Sequence, residues 1–451
     1  MRNIVCGRLY RFFDVITRVL AVIAVALPAS VAFSADGEFD PSWSLDGLAF
    51  AGDPGTANRG YGIALQCDGK VVAVGAINGQ TWNSDAGVIR FNHDGSPDSS
   101  FASNGVFAIS FGSFGDTAMS VALQPDGKIV VAGTSTDGGS DRFFVMRLTQ
   151  NGSLDSTFSG DGYHQFDVGS ASRANGVAIQ DDGRIVVVGR TSTDTAMAIA
   201  RLTTTGQLDT TFDGDGMILI DFTFGDDEAW GVEIQDDGRI LVVGTASIPG
   251  GSVAAVVRLL DDGSFDTSFG PGASGATAID FGTYSEGRGI ALQGDGKIVV
   301  SGETDYLTSV AAARLTDNGI LDPSFGGDGM VTRDFGLGPD VGFDIGVQHD
   351  GGIVVSGYVM GSAIPLGAVM RFTPSGAVDT SFGNGGVSVV PLTDATFLFG
   401  MTMQPNDGKI VAVGYVEYGI DDSRVMVMRA AGDSALIFAS DFECGDTSAW
   451  N

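Results

Sequence analysis

Residues 39–47 read FDPSWSLDG. The pattern returns as LDTTFDGDG at 208–216 and VDTSFGNGG at 378–386, and there each copy follows a long strand-like run that the first copy lacks. The stretch therefore looks like the end of a unit whose beginning lies elsewhere in the chain.

Reading outward finds that unit. Asp-Gly-Lys or Asp-Gly-Arg falls at 68–70, 126–128, 182–184, 237–239, 295–297 and 407–409, with a variant Asp350-Gly351-Gly352, so copies recur every 55–58 residues. Each Asp-Gly turn joins two β-rich runs such as SVALQ and KIVVAG, which is a strong hairpin signal. A third run ends in Arg-Leu or Arg-Phe, a polar turn and Leu-Asp-x-Ser/Thr-Phe follow, and a short fourth run such as GVFAISF closes the unit. Four short strands per repeat without helical periodicity predict the blades of a β-propeller, whereas solenoid coils are shorter and would not need a hairpin in every unit. FDPSWSLDG then supplies one fourth strand, six complete units follow, and the last unit has only three strands. The expectation is an all-β, seven-bladed propeller with four antiparallel strands per blade. Its ring is closed by the N-terminal strand completing the last blade, which removes an open sheet edge.

The ordered recurrence of LDxSFG and QxDGKIVVxG over residues 39–430 resembles the delta-60 repeat of exported bacterial proteins. The resemblance implies a propeller-like fold and export, and brings no catalytic residues with it. The last residues, ALIFASDFECGDTSAWN, match no part of the repeat and resemble a short C-terminal segment carried by otherwise unrelated exported bacterial proteins.

Three segments are expected: a signal peptide at 1–34, the propeller at 35–433 and a tail at 434–451. The first carries Arg2, Arg8, Arg11 and Arg18, an apolar run from Val19 to Phe33 and the small-residue motif Ala32-Phe33-Ser34. That run is too short for a spanning helix, so no membrane span is expected after cleavage. The protein is read as exported to the periplasm, cell surface or medium of a Gram-negative bacterium. Losing four Arg and one Asp moves the formal charge from −31 to −34. So acidic a surface excludes nucleic acid and suits solubility, cations or basic partners. Of three cysteines, Cys6 leaves with the signal. Cys67, in a hairpin turn, and Cys444, in the tail, could then form a disulfide in an oxidising compartment.

An Arg precedes the Asp of LDxSF by eight residues in every complete copy, as in Arg147 and Asp155. Six copies argue for a structural ion pair rather than an acid–base pair, and by the same alignment Arg429 is predicted to pair with Asp40. The three His residues occupy unrelated repeat positions, so no catalytic residue is assigned.

Loops joining the first and second strands, and the third and fourth, nearly repeat themselves; the others are individual and mark the face expected to bind a ligand. At that end of each first strand stand Asn58, Asp116, Ser172, Asp227, Ser285, Asp340 and Thr396. They form either a rim of oxygens for a polar ligand or cation, with calcium the candidate cofactor, or a set of turn caps. Asp344 interrupts a series otherwise made of Gly and Ser and joins the candidates. Tyr61, Trp230, Phe343 and Phe399 share the strand parity of Val232 and Ile345, which predicts burial in the packing between sheets. The leading functional expectation is a non-catalytic binding module for a glycan, protein or cation. The alternatives are a polysaccharide lyase or glycosidase and a passive surface or matrix component.

Overall fold

A computed structural model describes residues 36–432, apart from positions 54, 81–82, 113, 170, 193–194, 223–224, 305–308, 337, 362, 406 and 420–421. The expected signal segment and tail, and Cys444 with the tail, lie outside the described residues. Those described form 28 strands and no helix.

The unit at 117–166 shows the plan. Strands Thr117–Leu123, Ile129–Asp137, Ser140–Leu148 and Tyr163–Phe166 pair in sequence order, each antiparallel to the next. Four further units make separate four-stranded sheets of the same order. The other two share an eight-stranded sheet. One half is Ala57–Leu65, Val71–Gln80, Asn83–Phe91 and Val106–Ile109; the other contains Ala395–Met403, Ile410–Gly419 and Asp422–Ala430, and one parallel bridge, Ala57 to Ser423, joins them.

The fourth strand of that second half comes from the start of the chain. Leu48–Ala51 runs antiparallel to Asp422–Ala430, with Leu48 opposite Met428 and Ala51 opposite Val425. The Asp40 amide donates to the Arg429 carbonyl at 2.9 Å, and the Arg429 amide donates to the Gly47 carbonyl at 2.8 Å. FDPSWSLDG thus leads into a strand that pairs with Asp422–Ala430.

Second and third strands read as continuous apolar runs because both of their faces are covered. Ile129 to Ala132 and Phe143 to Met146 are completely buried. Val130, Ala132, Phe143 and Val145 share a core with Ala174, Val177, Ile185 and Val187 of the following unit. The N-terminal strand is sandwiched in the same way. Leu48 and Met428 pack with Val354 and Val369 of the preceding unit, while Trp43, Ala49 and Val427 pack with Val71 and Ile89 of the next.

Candidate functional site

The repeated Arg holds units together. Arg147 Nε donates to Asp155 Oδ2 at 2.8 Å, its Nη1 donates to the Thr204 carbonyl of the next unit at 2.7 Å, and its guanidinium lies 4.8 Å from the centre of the Phe158 ring. Thr157 gives its amide and hydroxyl to the other Asp155 oxygen, and Lys128 of the Asp-Gly-Lys turn stands 3.4 Å from the carboxylate. Burial pushes the Asp155 carboxyl up, but the Thr157 donors and Arg147 outweigh it and hold it at about 2. The two motifs therefore recur together because they meet in one cluster. Arg429 lies 2.7 Å from Asp40, rests over Trp43 and donates from Nη1 to the His93 carbonyl at 3.0 Å. The departure is the unit with Gly352 in place of Lys, where Arg371 reaches both Asp379 and Asp350.

Asn58, Asp116, Ser172, Asp227, Ser285, Asp340 and Thr396 are all completely buried. Their oxygens accept backbone amides of the preceding loop or of a neighbouring strand. Asp227 takes those of Phe222 at 2.6 Å and Ser247 at 2.8 Å; Asp340 takes those of Phe335, Gly336 and Met360; Thr396 takes that of Gly367 at 2.7 Å. They sit where short polar side chains cap turns, turned away from solvent. Among the described residues no group of three or more His, Cys, Asp or Glu is placed to hold a metal ion.

The residues three places further on behave differently. In every first strand the ladder to the second strand slips at a β-bulge, which skips Tyr61, Met119, Asn175, Trp230, Phe343 and Phe399, and Arg288 together with Gly289. A bulge re-aims the extra side chain and reverses the alternation beyond it. All seven side chains consequently line one cavity of about 510 Å³ to which every first strand contributes. The aromatics expected between the sheets face this cavity instead, because the parity argument assumed an unbroken strand. The glycine at the fifth position of each second strand was the legible signal. A Cβ on Gly133 would stand 2.0 Å from the Thr117 carbonyl oxygen, so the bulged backbone needs glycine opposite it.

The cavity wall is divided. On one side Phe399 stacks near Phe343 at 4.5 Å and meets the edge of Tyr61 at 5.3 Å. Next to this arc, Arg288 lies 5.9 Å from the Phe343 ring and 4.1 Å over the Trp230 ring, and pairs with Glu286 at 2.5 Å and Glu303 at 2.9 Å. Asn175 beside them donates to Glu228 at 2.9 Å.

Two carboxylates line the same cavity. Asp344 accepts the amides of Ile345 and Met401, both at 2.8 Å. Glu233, which motif reading overlooked, occupies a position filled by Ala, Gly or Thr in the other first strands. Burial pushes Glu233 up to about 7, with the Asp344 charge adding to it, and burial pushes Asp344 up to about 6. The cavity thus holds acid–base groups poised near neutrality, aromatic faces and one compensated Arg. Cys67, in the turn after Ala57–Leu65, is disulfide-bonded.

Repeated four-stranded antiparallel sheets gathered around one shared cavity define a protein of the β-propeller class. Six segments, 66–101, 124–158, 180–212, 235–269, 293–325 and 348–382, match the propeller-repeat family described as a domain of unknown function (DUF5122) β-propeller. No curated protein matches it. Among solved structures it is similar to a protein of unknown function from Dyadobacter fermentans, with 12% identity over 86% of this chain and 98% of that one and a TM-score of 0.44. It is also similar to an ulvan lyase solved with bound -[GlcA(1-4)Rha3S]-, with 11% identity, 89% and 96% coverage and a TM-score of 0.46. A gluconolactonase from Xanthomonas campestris gives 15% identity, 67% and 82% coverage and a TM-score of 0.36. Likeness at this level carries neither activity to this chain.

Proposed function

We propose that the protein is an exported binding module, a closed seven-bladed propeller that seats its ligand in the cavity among the seven first strands. Export rests on the Arg-bearing, apolar N-terminal sequence, and closure on the pairing of Leu48–Ala51 with Asp422–Ala430. The observation that carries the binding reading is the contrast along each first strand. Buried capping residues are followed by a bulged residue of six different types across the seven first strands, Phe alone occurring twice, and all seven of these line the same cavity. A repeating scaffold whose side chains vary at the cavity wall suits recognition.

The test is a saccharide and small-molecule screen on the mature protein, read by intrinsic fluorescence with Trp230→Phe as the control. Ligands are expected to change emission in the parent and much less in the variant. Ligands whose signal and affinity ignore both Trp230→Phe and Phe399→Ala would place binding elsewhere.

A second reading is favoured by Glu233 and Asp344, whose elevated proton affinities suit a general acid and base acting on a polysaccharide. Turnover of uronate-containing polysaccharide, abolished in both Glu233→Gln and Asp344→Asn, would establish it; binding without turnover leaves the module reading in place.

A further inference from the structure

The cavity lining includes two acids that, among the described residues, no cation neutralises. Asp344 stands where the other first strands have Gly or Ser, and Glu233 where they have Ala, Gly or Thr. The two groups bonded to Asp344 are neutral amides, and among the described residues neither carboxylate has an ion-pair partner. The cation lining this space, Arg288, is already committed. It lies within 2.9 Å of both Glu286 and Glu303 and is stacked on Trp230. Phe343 directly precedes Asp344, Phe399 stands two residues before Met401, whose amide Asp344 accepts, and both rings line the cavity together with Tyr61.

We propose that this cavity binds a small organic cation, with its ammonium group against Asp344 and Glu233 and its apolar body on Tyr61, Phe343 and Phe399. The proposal rests on the cavity being the binding site and adds the class of ligand. An ammonium ion supplies the positive charge these acids lack, in a space where low polarisability strengthens the attraction. Its alkyl or aryl part covers apolar surface, and aromatic faces attract the cation through their negative π clouds. A neutral molecule of the same shape gains only the apolar contact.

Binding should also depend on pH. With the cavity empty, burial favours the protonated acids; a bound cation favours their ionised forms and expels the protons. The other charged groups around the cavity are Arg288, Glu286 and Glu303, and Glu228 with Arg190 nearby at 3.5 Å; the mouth adds Arg59. Glu303, also pushed up by burial, already has Arg288 as its partner.

The experiment is calorimetry on the mature full-length protein with phenethylammonium chloride and its neutral analogue 2-phenylethanol, at pH 5 and pH 8. The expected result is one-to-one binding of the amine, tighter at pH 8, with the alcohol weaker by about tenfold or more. Asp344→Asn and Glu233→Gln should each weaken the amine by a similar factor, while Asp213→Asn in an exposed turn should not. The amine–alcohol comparison needs no variant, so a folding defect cannot mask the answer. Equal binding of the two molecules, or amine binding that survives both substitutions, overturns the proposal. If neutral ligands alter Trp230 fluorescence and the amine does not, the ligand class falls while the cavity remains the binding site. If nothing tested alters Trp230 fluorescence and the amine gives no heat, both readings fall together.

Discussion

Glu233 and Arg147 show how the same physics gives opposite outcomes at single residues. Arg147 is buried, yet its guanidinium has Asp155, the Thr204 carbonyl and Thr157 as partners, so its charge is fully engaged. Arg147→Ala is expected to strand the Asp155 carboxylate and cost about 3 kcal/mol in urea unfolding. Glu233 is half-buried without such partners, and its proton affinity rises. In the unfolded chain it titrates near its ordinary value of 4.5, while in the folded protein it does so at about 7. The folded state therefore holds the proton more tightly, and stability falls as pH climbs between those values. Below the lower one no penalty exists; above the higher one it is complete. Glu233→Gln is accordingly expected to stabilise the protein by on the order of 2 kcal/mol at pH 8 and by almost nothing at pH 4, read from denaturant midpoints. A variant less stable at pH 8 would show that the carboxylate is compensated.

At the scale of one strand, the β-bulge decides what the cavity is made of. Apolar runs and turns in the sequence located the first strands correctly, but alternation could not say which residues face the cavity. One extra residue per strand turns Trp230 and Phe399 from the packing between sheets to the cavity wall. The bulge is maintained from the neighbouring strand by a residue with no side chain. Gly133→Ala forces a methyl group against the Thr117 carbonyl oxygen. It is expected to cost about 3 kcal/mol, as overpacking in a buried site does. Its effect on ligand binding should exceed that of an equally destabilising core change such as Val130→Ala, measured by thermal unfolding and calorimetry together.

Over the whole molecule, contacts between residues nearly four hundred positions apart join the last unit to the start of the chain. Arg429 reaches Asp40, Ser42 and the His93 carbonyl, so one side chain ties the N-terminal segment, the last unit and the first complete one. Burial acts to raise the Asp40 carboxyl, but Ser42, Arg429 and Lys409 hold it at about 2. Its contribution is thus present above its ordinary value of 3.8 and lost toward pH 2. Deleting residues 36–51 is expected to expose the edge of Asp422–Ala430, with a large drop in melting temperature and aggregation in light scattering. A monodisperse deletion variant with unchanged melting temperature would refute closure. The bonded Cys67 gives a second long-range prediction. Non-reducing peptide mapping of the mature protein is expected to recover it joined to Cys444; a free thiol at Cys444 would rule that pairing out.

The sequence by itself determined the repeat, the four-strand unit and the place of FDPSWSLDG, because turn chemistry and apolar runs are local and recur in register. It also revealed the Arg–Asp pairs through their constant spacing. Only the tertiary structure decided that Asn58, Asp116 and their counterparts are buried caps, and that Tyr61, Trp230, Arg288, Glu233 and Asp344 share one cavity. The reason is geometric: capping depends on which loops fold back over a strand, and facing depends on a bulge that one-dimensional alternation cannot register. The cavity exists only where seven separate first strands converge.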